Sequence, residues 1–344
     1  MANRRLLVTV ACLLVLFSLV SMIILLPMEH RTQHQGPTPT AAELEKKYAP
    51  ILHFDREEEL FPMEVGQYIG QCRLMHWQSG LGVMVEENIT DATLEQLGST
   101  ATDYYLDNKQ GSIADDGISK WYQAEEGSLG RTLYCRLVSS GERHLVQYWM
   151  FYAFNNGTFN RHEGDWEMFQ VLLNAEFEPT AVMFSQHQTG LRTAWDSVTR
   201  GDANAVEVYV AKGSHGTSCL PETINATAAG SEAKVLGPSD YLLVELSDPG
   251  DGDPAPPWLA FAGRWGEWGG SFGDLLGTRG PQGPVFRSGG ALWEGFEWGL
   301  SLPLWMPPAS AIVKDVAPEI SMRGHIQAYT GNTICGRIGR GEAL

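Results

Sequence analysis

The chain has 344 residues, 43% hydrophobic and 10% aromatic, enough apolar content to bury the core of one or two domains and too much for a disordered or fibrous chain. Acidic residues outnumber basic ones 41 to 24, for a net charge of −17, and the longest basic runs are Arg4-Arg5 and Lys46-Lys47, which excludes nucleic acid as a partner. Anionic lipid head groups are repelled on average as well, so membrane contact by the folded part needs apolar insertion, a local patch or a bridging cation.

Leu6 to Leu26 form 21 residues without a charge, preceded by Arg4-Arg5 and followed by Pro27. That length spans a bilayer, and the flanking arginines hold the N-terminus in the cytoplasm. Residues 1–27 therefore read as an uncleaved signal-anchor, a single-pass helix that places the rest outside; secretion after signal cleavage is the alternative. Residues 28–44, with Pro37 and Pro39, form a tether, and 45–344 an extracytoplasmic domain. That domain holds Cys72, Cys135, Cys219 and Cys335 with no CxxC pair, so two disulfides are expected with the three pairings open, buried free thiols being the alternative. Sequons at Asn88, Asn156 and Asn225 fit a glycoprotein in the same compartment.

In chain order, a first strand is expected over 47–54, after a short helix, and Asp55 to Glu59 form a solvated turn before Phe61-Pro62. Residues 70–130 read as mostly irregular, apart from a helix at 91–97 capped by Asp91. Runs rich in Val, Phe, Tyr and Trp then mark strands at 145–154, 166–174, 181–186, 206–211 and 241–246, spaced too tightly for crossover helices. From 247 to 308 the composition shifts to Gly, Pro and Trp, an aromatic loop layer against the strands. A last edge strand is expected within 326–338. The fold class is mostly β: an antiparallel β-sandwich with long Gly/Trp-rich loops and a few short helices, preceded by one transmembrane helix.

The chemistry concentrates in His162-Glu163-Gly164-Asp165-Trp166-Glu167, which follows the aromatic strand around Gln147-Tyr148-Trp149. With Asp165 opening a strand, period-two alternation puts Asp165 and Glu167 on one face ahead of Phe169 and Val171, and Trp166, Met168, Gln170 and Leu172 on the other. Burying two unpaired carboxylates is costly, so they are expected to meet water, a cation or basic side chains at an open sheet end. Gly164 permits a bend that swings His162 back to them. One imidazole and two carboxylates suit a divalent ion, Ca²⁺ or Mg²⁺ ahead of Zn²⁺ or Mn²⁺; the alternative is a local salt-bridge and turn motif with Arg161 or Arg192. His187 and His215 each follow a predicted strand in a glycine-rich loop and either join the cluster as ligand-binding residues or simply bond to backbone.

Tyr48-Ala49-Pro50-Ile51-Leu52-His53-Phe54, the Gln147-Tyr148-Trp149 strand, the His162–Glu167 motif, Ser185-Gln186-His187, Gly213-Ser214-His215 and Gly263-Arg264-Trp265-Gly266 occur in an order that resembles the vacuolar protein sorting-associated protein 62 family over about residues 48–287. That resemblance implies a β-rich, extracytoplasmic or membrane-associated domain rather than a reaction. More distantly, the motif is similar to the GHRHDWE heptapeptide of the necrosis- and ethylene-inducing-peptide-like proteins, secreted cytolysins with a β-sandwich. The similarity implies metal ligation by His162, Asp165 and Glu167, with those proteins' further acidic ligand falling on Asn155 or its neighbour Asn156, where an amide carries one less charge. Their cation helps engage glycosylated sphingolipid head groups. Gly164 stands where they have a second histidine, so cytolysis is not carried over.

Three functions follow. The first is a membrane-anchored surface domain that binds a divalent metal and a glycan or lipid head group, with Trp166, Trp195 and some of Trp258, Trp265 and Trp268 stacking on sugar. The second is a metal-dependent hydrolase in which Glu163 or a site carboxylate activates water; with no GxSxG, HExxH or phosphate loop present, no catalytic residue is identifiable and an enzyme is the weaker reading. The third is a structural ectodomain without catalysis.

Overall fold

The computed structural model describes residues 37–157, 160–224, 233–248, 255–270 and 272–306. The strands in chain order are β1 (Ile51–Phe54), β2 (Cys72–Gln78), β3 (Leu81–Glu86), β4 (Tyr104–Asn108), β5 (Thr132–Ser140), β6 (Arg143–Asn155) and β7 (His162–Leu173). They continue with β8 (Pro179–Gln186), β9 (Thr189–Ala194), β10 (Glu207–Val210), β11 (Thr217–Ser218), β12 (Lys234–Leu236) and β13 (Leu242–Glu245). The fold is mostly β, with several sheets and a few short helices.

A six-stranded sheet in the order β13-β5-β6-β7-β8-β9 forms the middle layer. Its two long central strands, β6 and β7, pair antiparallel from His144↔Leu173 to Asn155↔His162, and β7 is buried along its whole length. Alternation sorts their side chains into two cores. Tyr148, Met150, Tyr152, Phe169, Val171 and Leu173 meet Leu52, Phe54, Val208 and Val210 of a second sheet, ordered β11-β10-β1-β12. Trp149, Phe151, Trp166 and Met168 meet Trp258, Trp265 and Trp293 from the Gly/Trp-rich segment, so the aromatic layer does close over the sheet. That segment carries the short helices Gly273–Leu276, Ala291–Glu294 and Phe296–Ser301.

Several expectations change. The sheets are not purely antiparallel, since β1 pairs with β10 and β13 with β5 in parallel. Residues 70–130 are not irregular: β3-β2-β4 form a third sheet, and a helix covers Gly117–Glu125. The β3 side chains are exposed on both faces until Glu86, which erases the alternation by which a strand is read. The helix Asp91–Leu97 is capped by Thr90, whose hydroxyl accepts from Thr93 N, rather than by Asp91. The first strand starts at Ile51, because the helix Ala41–Lys47, closed by a Thr40/Glu43 capping box, takes the preceding residues. The supposedly solvated turn buries Asp55 and Glu58.

The expected two disulfides do not form, since Cys72 and Cys135 are buried free thiols. Cys72 lies in the core under the tryptophans and Cys135 and Cys219 in the opposite core, so a whole sheet separates Cys72 from the other two. Cys335, Asn225, the 326–338 strand and the Leu6–Leu26 span fall outside the described residues. Among the described residues, no helix is long and apolar enough to cross a membrane.

Candidate functional site

One backbone angle sets the site. Gly164 has a φ of 58°, and a Cβ there would sit 1.9 Å from the Trp265 carbonyl oxygen, so only glycine fits. The left-handed residue reverses the alternation. Glu163 thereby falls on the Trp166 side, while His162 joins Asp165 on the other. The His162 ring nitrogen Nδ1 donates to the Gly164 carbonyl at 2.7 Å, which leaves Nε2 as the nitrogen with a lone pair. Burial holds this imidazole below its ordinary pKa, against the pull of the Asp165 charge, and favours the neutral form that can ligate.

Asp165, fully buried, accepts a 3.0 Å hydrogen bond from His215 Nδ1 at Oδ2. Its Oδ1 is buried with no hydrogen-bond partner. His215 stacks on Tyr152 with ring centroids 3.8 Å apart, and its Nε2 lies 3.8 Å from Glu58 Oε1, too long for a hydrogen bond but close enough for charge. Glu58 is itself pinned, accepting from Gly213 N at 2.7 Å and from Leu60 N at 3.0 Å. Burial alone would discharge these groups, but their mutual attraction outweighs it. His215 is held up at about 9 by Asp165 and Glu58, Glu58 is brought down to about 2 by His215 and its backbone donors, and Asp165 is lowered by His215 and the neighbouring imidazoles.

Glu167 is held separately. It accepts from Ser185 Oγ, from His187 N at 2.8 Å and from His187 Nδ1 at 2.9 Å. Burial opposes charge on His187, and the bond and charge of Glu167 overcome it, raising its pKa. Asn160 Nδ2 lies 2.9 Å from the other ring nitrogen. One donor atom from each of His162, Asp165 and His187 lies within 4.8 Å of the others, which is compatible with a single ion between them.

The residues singled out in the sequence distribute as follows. His162, Asp165, Glu167, His187 and His215 converge. Asn155 does not present its oxygen: Oδ1 accepts from Gly157 N at 2.8 Å, and Nδ2 faces Asp165 at 3.4 Å. Trp166 cannot stack on a ligand, being fully buried against Trp258 and Trp265 on the far face. Trp195 is partly buried and packs edge-on against Tyr48 beneath Arg200, against the core on the side of β1. Glu163 is no base for water at His162, because Gly164 turns it to the other face. There its Oε2 accepts from Asn108 N and Glu267 N, and it forms a second acidic group with Asp107 and Glu267.

Glu58, Ser185 and Arg287 were not read from the sequence. Glu58 is brought in by topology. Parallel pairing of β1 with β10 places the turns after Phe54 and Val210 at the same sheet end, which brings Glu58 to His215. Arg287, buried with Nη2 3.8 Å from Glu167 Oε1, comes from a remote loop.

No protein-family model and no curated protein matches the chain, so the likeness to the vacuolar protein sorting-associated protein 62 family stands on its motifs alone. The solved structures it is similar to include Necrosis and Ethylene inducing Protein 2 from the causal agent of cocoa's Witches Broom disease, at 17% identity, TM-score 0.30, over 63% of this chain and 79% of that one. NLPPya in complex with mannosamine matches at 14% identity and TM-score 0.32, over 61% and 75%. NLPPya in complex with glucosamine matches at 16% and 0.25, over 33% of this chain and half of that one. Scores of this size establish neither a common fold nor a common ligand.

Proposed function

We propose that this protein is a surface binding module, tethered to a membrane by its apolar Leu6–Leu26 run, that holds a divalent cation at His162 and Asp165 and presents it to a glycan or lipid head group. The observation that carries the reading is Asp165 Oδ1: a fully buried carboxylate oxygen with no hydrogen-bond partner, beside two imidazoles within 4.8 Å. The His162 tautomer, fixed by the Gly164 carbonyl, supports it. The third donor is either His187 or Glu167, the two partners of one ion pair, and the preferred ion reports which. Two imidazoles and one carboxylate suit Zn²⁺ or Mn²⁺, whereas one imidazole and two carboxylates suit Ca²⁺ or Mg²⁺. When bound, the ion supplies a Lewis-acidic contact for ligand oxygens; nothing in the donor set requires a reaction.

Melting of the full chain in neutral detergent, with EDTA and then with each of the four ions, tests this. At least one ion raises the melting temperature of the wild type and leaves Asp165→Asn unchanged. If none does, the cation site is wrong.

A further inference from the structure

His162 and His187 line a cavity of about 410 Å³ whose walls also carry Arg264, Arg279 and Arg287. Three guanidinium groups around one cavity is an unexpected concentration in a chain of net charge −17. Arg279 is fixed, its Nε donating to the Trp268 carbonyl at 3.0 Å with the guanidinium 4.4 Å from the Trp268 ring centroid. Arg287 is different. It is 5% exposed, its Nε and Nη1 are buried with no hydrogen-bond partner, and the nearest carboxylate oxygen, on Glu167, is 3.8 Å from Nη2. Leaving two N–H donors of a buried guanidinium unsatisfied is costly, and an acceptor seated in the cavity removes that cost.

We propose that Arg287 is the anchor of an oxyanion pocket: the cavity takes a phosphate, sulfate or carboxylate group, held by a charge-assisted N–H···O bond from the Arg287 guanidinium. The inference rests on the reading that this cavity is the ligand site, and it names the class of head group as anionic. It does not depend on the cation. Arg287, remote in sequence from His162 and Asp165, thereby becomes a ligand-contacting residue of the same site.

Calorimetric titration of the full chain in detergent tests this, with EDTA throughout so that the cation plays no part. The probes are inorganic phosphate, glucose 6-phosphate against glucose, and glycerol 3-phosphate. The wild type binds phosphate-bearing probes and not glucose. Arg287→Met weakens binding about tenfold or more, and Arg287→Lys, which keeps the charge without the guanidinium's N–H donors, falls between them. Tightest binding of glucose 6-phosphate assigns the anion to a glycan, of glycerol 3-phosphate to a lipid head group, and of inorganic phosphate to a free ion. Equal binding by wild type and Arg287→Met, or no binding of any phosphate probe, overturns the inference. An ion-induced rise in melting that persists alongside either result leaves the cation site standing by itself.

Discussion

Glu163 and Asp165 lie two residues apart on β7 and both are fully buried, yet the protein treats them in opposite ways. Glu163 has two backbone N–H donors on one oxygen and two acidic neighbours, Asp107 and Glu267. Burial, then those neighbours, push its carboxyl well above the usual range. Asp165 has an imidazole bonded to one oxygen and two more nearby, and is held charged. The left-handed Gly164 between them sends one to each face. The contrast teaches that burial alone does not set the state of a carboxylate; the charges it is buried among do.

Breaking the Asp165 side has the largest expected effect. His215→Asn removes the counter-charge that Asp165 and Glu58 share and costs about 3–5 kcal/mol in urea unfolding. A loss below about 1 kcal/mol would mean that the pair is not a charged one in the folded state. Gly164→Ala comes next. It puts a Cβ into the Trp265 carbonyl at a positive φ, costs more than about 1 kcal/mol, and removes any ion-dependent stabilisation by displacing His162.

The pH dependence sharpens the comparison. His215 has a raised folded pKa, so its contribution is complete below the unfolded imidazole value of about 6.5 and is lost as pH rises through about 9. Glu58 and Asp165 have lowered values, so theirs is complete above the ordinary carboxylate value, 4.5 for Glu58, and is lost as pH falls toward about 2. Urea midpoints measured against pH should fall on both flanks, and His215→Asn should flatten the alkaline one; an unchanged alkaline limb contradicts the assignment. The smallest effect is at Glu163. Glu163→Gln keeps an oxygen for both backbone donors and removes a disfavoured charge, so unfolding should change by less than about 1 kcal/mol.

Much of this was legible in the sequence where alternation is clean. The facing of Asp165, Glu167, Phe169 and Val171 against Trp166, Met168 and Leu172 follows directly from period two, because β7 is buried on both sides. The helix Asp91–Leu97 has both expected ends, and only its cap moved by one residue, to Thr90. The β3-β2-β4 sheet was illegible for the converse reason: Leu81, Val83, Met84 and Val85 all face solvent, so neither face of β3 stands out. In the site, the local HEGDWE geometry was readable, but Glu58 depended on a parallel strand pairing and Arg287 on a loop that returns from more than a hundred residues away. The turn that engages the Asn155 oxygen, at Gly157 N, is not disclosed by composition.

The most direct test is a crystal of the chain soaked with Mn²⁺, measured for anomalous scattering. A peak about 2.0–2.3 Å from both His162 Nε2 and Asp165 Oδ1 is the expected result. A soaked crystal with no peak there, or with its only peak among Asp107, Glu163 and Glu267 on the opposite face, would contradict the assignment.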